Sequence, residues 1–321
     1  MALRPIFVAM SIKLLTIPVV TAAALFALLF SGASVSAQSA GPDTLWINAG
    51  SWVQALDTME TMRFNASAAF DSTGAVIDRP EEEAWSIVII NGDTVDHVFK
   101  LSGAAGDVAS SWAGVELLAG DTAAVLSPAL AKGSYRFFLA GDRARVLGLA
   151  GLLRVGYPAP DLGNPEATPD YDRLFNWNLC EWSPERIELV AGSQPQDWDE
   201  AYIPKYFTIN ERGFPETVAD PLGAVNLELG QTAVISVANH GYMDQVLHFH
   251  GFHVLLLHDS ATPQRIGWSK DTVPVRAGHT VTLKLVADQP GTYPVHAHNL
   301  IAVTLAGFYP GGMLTQITVT Q

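Results

Sequence analysis

The chain has 321 residues, 49% of them hydrophobic and 16% charged, and carries a net charge of −14. That length suits two ordinary domains or one large one, and 27 glycines with 19 prolines imply many turns. So acidic a surface excludes nucleic acid and anionic lipid as natural partners, and a single cysteine, Cys180, excludes an intrachain disulfide.

Residues 1–37 read as an export signal. Arg4 and Lys13 flank the start of an apolar run, Leu14–Phe30, and small residues follow, with Val35-Ser36-Ala37 as the cleavage site. The competing reading is an uncleaved anchor, because the run approaches membrane-spanning length, although Pro18 interrupts it. No cysteine near the junction could take a lipid. The expected location is periplasmic or extracellular, where a chain without cross-links must be held by its core.

Beyond the leader, Thr44–Val53 and Glu60–Phe70 carry strand-like alternation or apolar runs, and Val76-Ile77-Asp78-Arg79-Pro80 reads as a turn and a break. Trp85–Ile90 is a strong β run closed by Asn91-Gly92-Asp93. Val95–Leu101, Val115–Leu118, Ala123–Leu126, Tyr135–Ala140 and Leu147–Val155 follow, punctuated by Gly, Pro, Asp or Ser. No long amphipathic helix stands out. The pattern predicts an all-β chain, a sandwich or barrel, with a first domain over 44–157.

Residues 158–204 change character. Pro158, Pro160, Pro165, Pro169, Pro184 and Pro195 are interleaved with acids and with Trp177, Trp182 and Trp198. That is too aromatic for a disordered linker, so the segment is read as an ordered connector, with Arg173–Asn178 and Cys180 contributing a buried strand. Cys180 itself is read as a buried apolar thiol. A second β-rich domain, 205–321, should hold strands at Tyr206–Asn210, Ala224–Leu229, Ala233–Ala238, Gln245–Leu257, Thr280–Val286, Gly291–His298 and Met313–Thr320.

Two His-x-His triplets stand in this second domain, His248-Phe249-His250 and His296-Ala297-His298. On a strand, residues i and i+2 share a face about 6.5–7 Å apart, so two such strands side by side would gather four imidazoles. Imidazole suits copper, zinc, iron and nickel. The bland alternative is a set of unrelated core or surface histidines. The two halves also repeat one another. Asp96, Val98 and Gly103 match Asp244, Val246 and Gly251 at equal spacing, Ala119-Gly120 matches Ala277-Gly278, and a Gly-x-Tyr ending at Tyr135 or Tyr293 follows fifteen residues after each second glycine. This alignment sets Lys100 and Ser102 opposite His248 and His250, and Phe138 and Ala140 opposite His296 and His298. Only the second domain keeps nitrogen donors at those places.

With these residues in hand the chain resembles the multicopper oxidase family. Tyr206-Phe207-Thr208-Ile209-Asn210, the segment from Leu247 to Gly251, Lys270-Asp271-Thr272-Val273, Pro290-Gly291-Thr292-Tyr293 and His296-Ala297-His298 run in the family's order. The resemblance implies two Greek-key β-sandwich domains of the cupredoxin (plastocyanin-like) type and a copper site where domains meet. It also implies a blue copper held by residues that here are Gln245, Ala297 and Ala302, so that centre is expected to be missing. The family's three-copper oxygen site takes four histidines from each of two domains, and a single chain here supplies half. Met313 falls near the family's axial ligand and is read as core.

The expected cofactor is therefore copper, with zinc as the alternative, on His248, His250, His296 and His298. Asp244 and Asn299 are candidates to orient the rings. His253 should face the other way by strand parity unless Gly251 introduces a bulge. His240, His258 and His279 are expected in loops or on the surface, and His97 is expected to be a bystander without partners. Three functions remain open: an exported copper oxidoreductase that uses a small reductant or oxygen, a carrier that sequesters or delivers the metal without turnover, and a structural relic. A homo-oligomer, in which two second domains pool their imidazoles, is a further possibility.

Overall fold

The computed structural model describes residues 43–103, 108–160, 169–192 and 202–321. The export segment 1–37 with its cleavage site, and Pro165, Pro195 and Trp198 of the connector, lie outside them. Among the described residues no helix is long and apolar enough to cross a membrane.

Among the described residues nine strands lie in the first domain: β1 (Thr44–Gln54), β2 (Asp57–Asn65), β3 (Val76–Arg79), β4 (Ser86–Asn91), β5 (His97–Ser102), β6 (Val115–Leu117), β7 (Thr122–Leu126), β8 (Gly133–Leu139) and β9 (Ala150–Val155). Eleven follow. They begin with β10 (Arg173–Trp182), β11 (Tyr206–Ile209), β12 (Val225–Glu228), β13 (Thr232–Asn239), β14 (Gln245–Phe249) and β15 (Val254–Asp259). The rest are β16 (Ser269–Lys270), β17 (Thr272–Val275), β18 (Thr280–Val286), β19 (Gly291–Ala297) and β20 (Leu314–Thr320). The helices are short: α1 (Val108–Ser111), α2 (Asp142–Leu147), α3 (Pro184–Ala191) and α4 (Glu216–Ala219). The all-β expectation holds.

The first sandwich is built from sheets ordered β2-β1-β4-β7 and β3-β9-β8-β5-β6, the second from β11-β10-β13-β18-β15-β16 and β12-β20-β19-β14-β17. These orders are the same motif twice. β1 runs parallel to β4 as β10 does to β13, and β3 parallel to β9 as β12 does to β20. Side chains repeat it too. Asp96 Oδ1 accepts from Ala119 N at 2.8 Å, and Asp244 Oδ1 from Ala277 N at 2.8 Å. Asn91 Nδ2 donates to Val95 O at 3.0 Å, and Asn239 Nδ2 to Met243 O at 2.9 Å. Gly120 and Gly278, next to those alanines, both have left-handed backbone, with φ 69° and 79°.

Two expectations change. The connector's buried strand, expected over Arg173–Asn178 and Cys180, runs over Arg173–Trp182 as β10 and belongs to the second sandwich, where β10 and β11 are the counterparts of β1 and β2. Val76–Arg79 is a strand and not a break. Ile77 and Arg79 turn inward, Asp78 pairs with Arg154 on β9, and β3 lies parallel to β9.

Alternation places the core between the layers. In the first sandwich Phe64 meets Phe137 edge to face at 5.2 Å, and in the second Trp177 stacks on Phe249 at 5.9 Å. The β8–β9 ribbon then packs on the outer face of the six-stranded sheet. Ser134 Oγ and Thr282 Oγ1 are 2.7 Å apart, and Arg136 donates to His240 Nδ1 at 3.1 Å and to Gly278 O at 2.9 Å. The first domain therefore covers one layer of the second sandwich and leaves the five-stranded layer free of it.

Candidate metal centre

The four histidines lie on that uncovered layer. β14 and β19 pair antiparallel with His248 directly across from His296, while their neighbours Leu247, Phe249, Val295 and Ala297 are fully buried in the core. Period-two alternation sends His248, His250 and His296 to the outer face. His298 follows β19 by one residue and is tied to β14 through its N–H on Val246 O at 2.6 Å. Ring centroids are 4.5 Å apart for His248 and His250, 5.7 Å for His248 and His296, 5.1 Å for His250 and His296, and 5.8 Å for His248 and His298. His250 and His298 are exposed and the other two half-buried.

Gly251 has φ 77°, and a Cβ there would strike the Tyr293 ring at 2.5 Å. The chain turns at this point, so the single strand expected over Gln245–Leu257 is two, β14 and β15, in different sheets. His253 stands exposed past the turn, outside the group of four rings.

Hydrogen bonds select which ring nitrogen each imidazole can offer. His296 Nδ1–H donates to Ala297 O at 3.0 Å, which places its lone pair on Nε2. His248 Nδ1 lies 3.0 Å from Thr272 Oγ1, so its Nε2 also points away from the protein. His250 Nε2 sits 3.0 Å from His296 Nε2 and donates to it. Burial, then the charges of His248 and His296, hold His250 below the usual imidazole range, which keeps it neutral.

Among the described residues no three His, Cys, Asp or Glu side chains converge as a formed metal site. The Nε2 atoms of His250 and His296 stand 3.0 Å apart, close to the about 3.3 Å between two nitrogen ligands at about 2.05 Å on a tetrahedral ion. Four imidazoles gathered on one face are a chemically fitting donor set for copper or zinc. Asp244 and Asn299 do not orient these rings: Asp244 accepts from Ala277 N, and Asn299 accepts from Ile301 N to cap the short 3-10 turn at Leu300–Val303. Thr272 and the Ala297 carbonyl hold them instead. Thr272 was legible only as part of the Lys270–Val273 motif, because nothing in its spacing marks it as opposite His248.

Of the remaining histidines, His240 and His279 lie in loops as expected, while His97 and His258 differ from expectation. His97 is buried and has partners: its Nε2 is 2.9 Å from Asp93 Oδ2, which also accepts from Arg143 at 2.6 Å. His240 and His258 are buried at the interface of the two sandwiches, not on the surface. His240 donates from Nε2 to Asn178 Oδ1 at 2.9 Å and is held well below its ordinary pKa by burial and by Arg136. His279 is half-buried against Ser260. Gln245, Ala297, Ala302 and Met313 are all fully buried in the second core. Cys180 lies in the first domain's cluster, on the other layer, and burial pushes its thiol well up.

Paired Greek-key sandwiches carrying a histidine group on a β14–β19 surface define a cupredoxin-type fold, and solved structures agree. A blue copper oxidase from Nitrosomonas europaea superposes with a TM-score of 0.68 at 20% identity over 86% of this chain and 85% of that one. A copper nitrite reductase from the same organism gives 0.63 at 18% identity over 87% and 93%. Residues 191–319, which carry the four histidines, match the model of the Multicopper oxidase family. The chain is also 33% identical over 139 residues to Multicopper oxidase MmcO of Mycobacterium tuberculosis, a stretch covering 43% of this chain and 21% of that protein.

Proposed function

We propose that this is an exported copper-binding protein of the multicopper oxidase family, with one histidine-only centre at His248, His250, His296 and His298 and no blue copper. The observation that carries it is the register that sets His248 across from His296 with His250 and His298 beside them. The blue centre is absent because copper there needs a thiolate, whereas Ala297 occupies that place and Cys180 is a high-pKa thiol in another cluster.

Copper bound here would supply one-electron redox and Lewis-acid chemistry. The residues do the rest. The Ala297 carbonyl and Thr272 fix two rings, and the exposed edges of His250 and His298 leave the centre open to solvent and small molecules. An open centre without an electron-accepting blue copper does not support four-electron reduction of oxygen by the family's route. That same openness favours a second reading, a carrier that exchanges copper with a partner. Zinc fits the donors as well, and copper leads through the divalent affinity order.

The test is copper loading of the full chain followed by metal analysis, visible absorption and electron spin resonance. One copper per chain, nitrogen hyperfine structure and no intense blue band are expected. A strong thiolate-to-copper band, or no bound metal, overturns the reading. Turnover of a reductant with oxygen separates the enzyme from the carrier.

A further inference from the structure

The internal repeat gives a direct comparison of a seat that keeps its imidazole with one that has lost it. In the second sandwich β14 runs beside β17 with His248 opposite Thr272. In the first, β5 runs beside β6 with Phe99 opposite Val115, so the next step sets Lys100 against Gly114. Gly114 has φ 88°, and a Cβ on it would lie 2.3 Å from Phe99 O and 3.2 Å from the Lys100 side chain. The seat without an imidazole thus faces a position that admits no side chain. The seat with one faces a hydroxyl at 3.0 Å from the ring.

We infer that Thr272 is a positioning residue for the metal centre: its Oγ1 accepts from His248 Nδ1–H and so commits His248 to bind metal through Nε2. The inference rests on the reading of the four histidines as a copper site, and it names what selects the ligating atom in one of them. A free imidazole interconverts between two tautomers, and only the Nδ1–H form presents its lone pair on the outer edge. His296 obtains that form from a main-chain carbonyl, which no side-chain change removes. For His248 the same job falls to one hydroxyl. Its β-branched carbon also holds χ1 in few wells, so the oxygen stays aimed at the ring.

The experiment compares the full chain with Thr272→Val, Thr272→Ala and Thr272→Ser in two measurements. In the first, copper affinity by competition titration should fall about 10- to 100-fold in Thr272→Val, the usual cost of losing a partner that orients a ligand, with Thr272→Ser restoring most of it. In the second, long-range nitrogen–proton NMR on metal-free protein should show His248 as the Nδ1–H tautomer in the parent and in Thr272→Ser, and as a mixture in Thr272→Val. Thr272→Ala serves if the valine variant does not fold. The inference is overturned if Thr272→Val binds copper as tightly as the parent, or if serine and valine weaken it alike. If the parent binds no copper, the metal reading fails, and the tautomer measurement alone decides the role of Thr272.

Discussion

His97 and Gln245 hold equivalent places in the two sandwiches, and what surrounds them shows how one substitution alters a buried polar group. His97 has Asp93 as partner, and the residue equivalent to Asp93 in the second domain is Gly241. Gln245 is fully buried and neither of its amide atoms is hydrogen-bonded. A buried unpaired amide costs about 1–3 kcal/mol, so Gln245→Met, of similar shape, should stabilise the protein by about 1–2 kcal/mol in chemical denaturation. A loss of stability would mean that the amide has a role in the folded protein. Glu211 gives a pH signature. Burial raises its carboxyl to about 7 although Arg63 lies nearby, and its Oε2 has no hydrogen-bond partner. The folded chain then holds a proton that the unfolded chain has released, so this group's stabilising contribution is complete below about pH 4.5 and is lost as pH rises through about 7. Glu211→Gln should melt higher than the parent at pH 8 and close to it at pH 4.5. Metal binding at these rings requires neutral imidazoles, so copper affinity should drop as the pH is lowered.

At the scale of elements, the β14–Gly251–β15 turn decides where the histidines can be. It follows His250, the first residue past β14, and sends the chain to the opposite layer. Gly251→Ala puts a Cβ at a positive φ and against Tyr293, so it should destabilise by about 1–3 kcal/mol and weaken copper binding by displacing His250; unchanged melting would contradict that account of the turn. Most strands were legible in the sequence because apolar alternation reports which residues face a core. The four-histidine group was legible for the same reason, since each triplet at period two puts both its rings on one face, and the β14–β19 register then joins the two. What escaped were features decided by partners far along the chain. Val76–Arg79 is too short and too polar to read as a strand, and it becomes one because Asp78 finds Arg154 on β9. By contrast, His97 was read without a partner although Asp93 stands four residues before it, and His258 was misplaced because it packs on Tyr135 of the other sandwich.

For the whole molecule, the arrangement of the layers matters most. The first sandwich is joined to the six-stranded layer by a buried polar network centred on Arg136, which burial and Arg145 bring down to about 9. That network uses the outer surface of β10, β13 and β18, so the histidine layer faces the other way. Exposed Leu300, Ile301, Phe308 and Tyr309 follow His298 in the chain and add apolar surface on the β19–β20 connection. A centre placed there is built entirely by the second sandwich, and the first supplies no donor to it. The most direct measurement is an anomalous-difference map at the copper edge from copper-soaked crystals of the full chain. The account predicts a peak bounded by the Nε2 atoms of His248, His250 and His296, with His298 beside it. Copper located elsewhere, or none at these four rings, would contradict it.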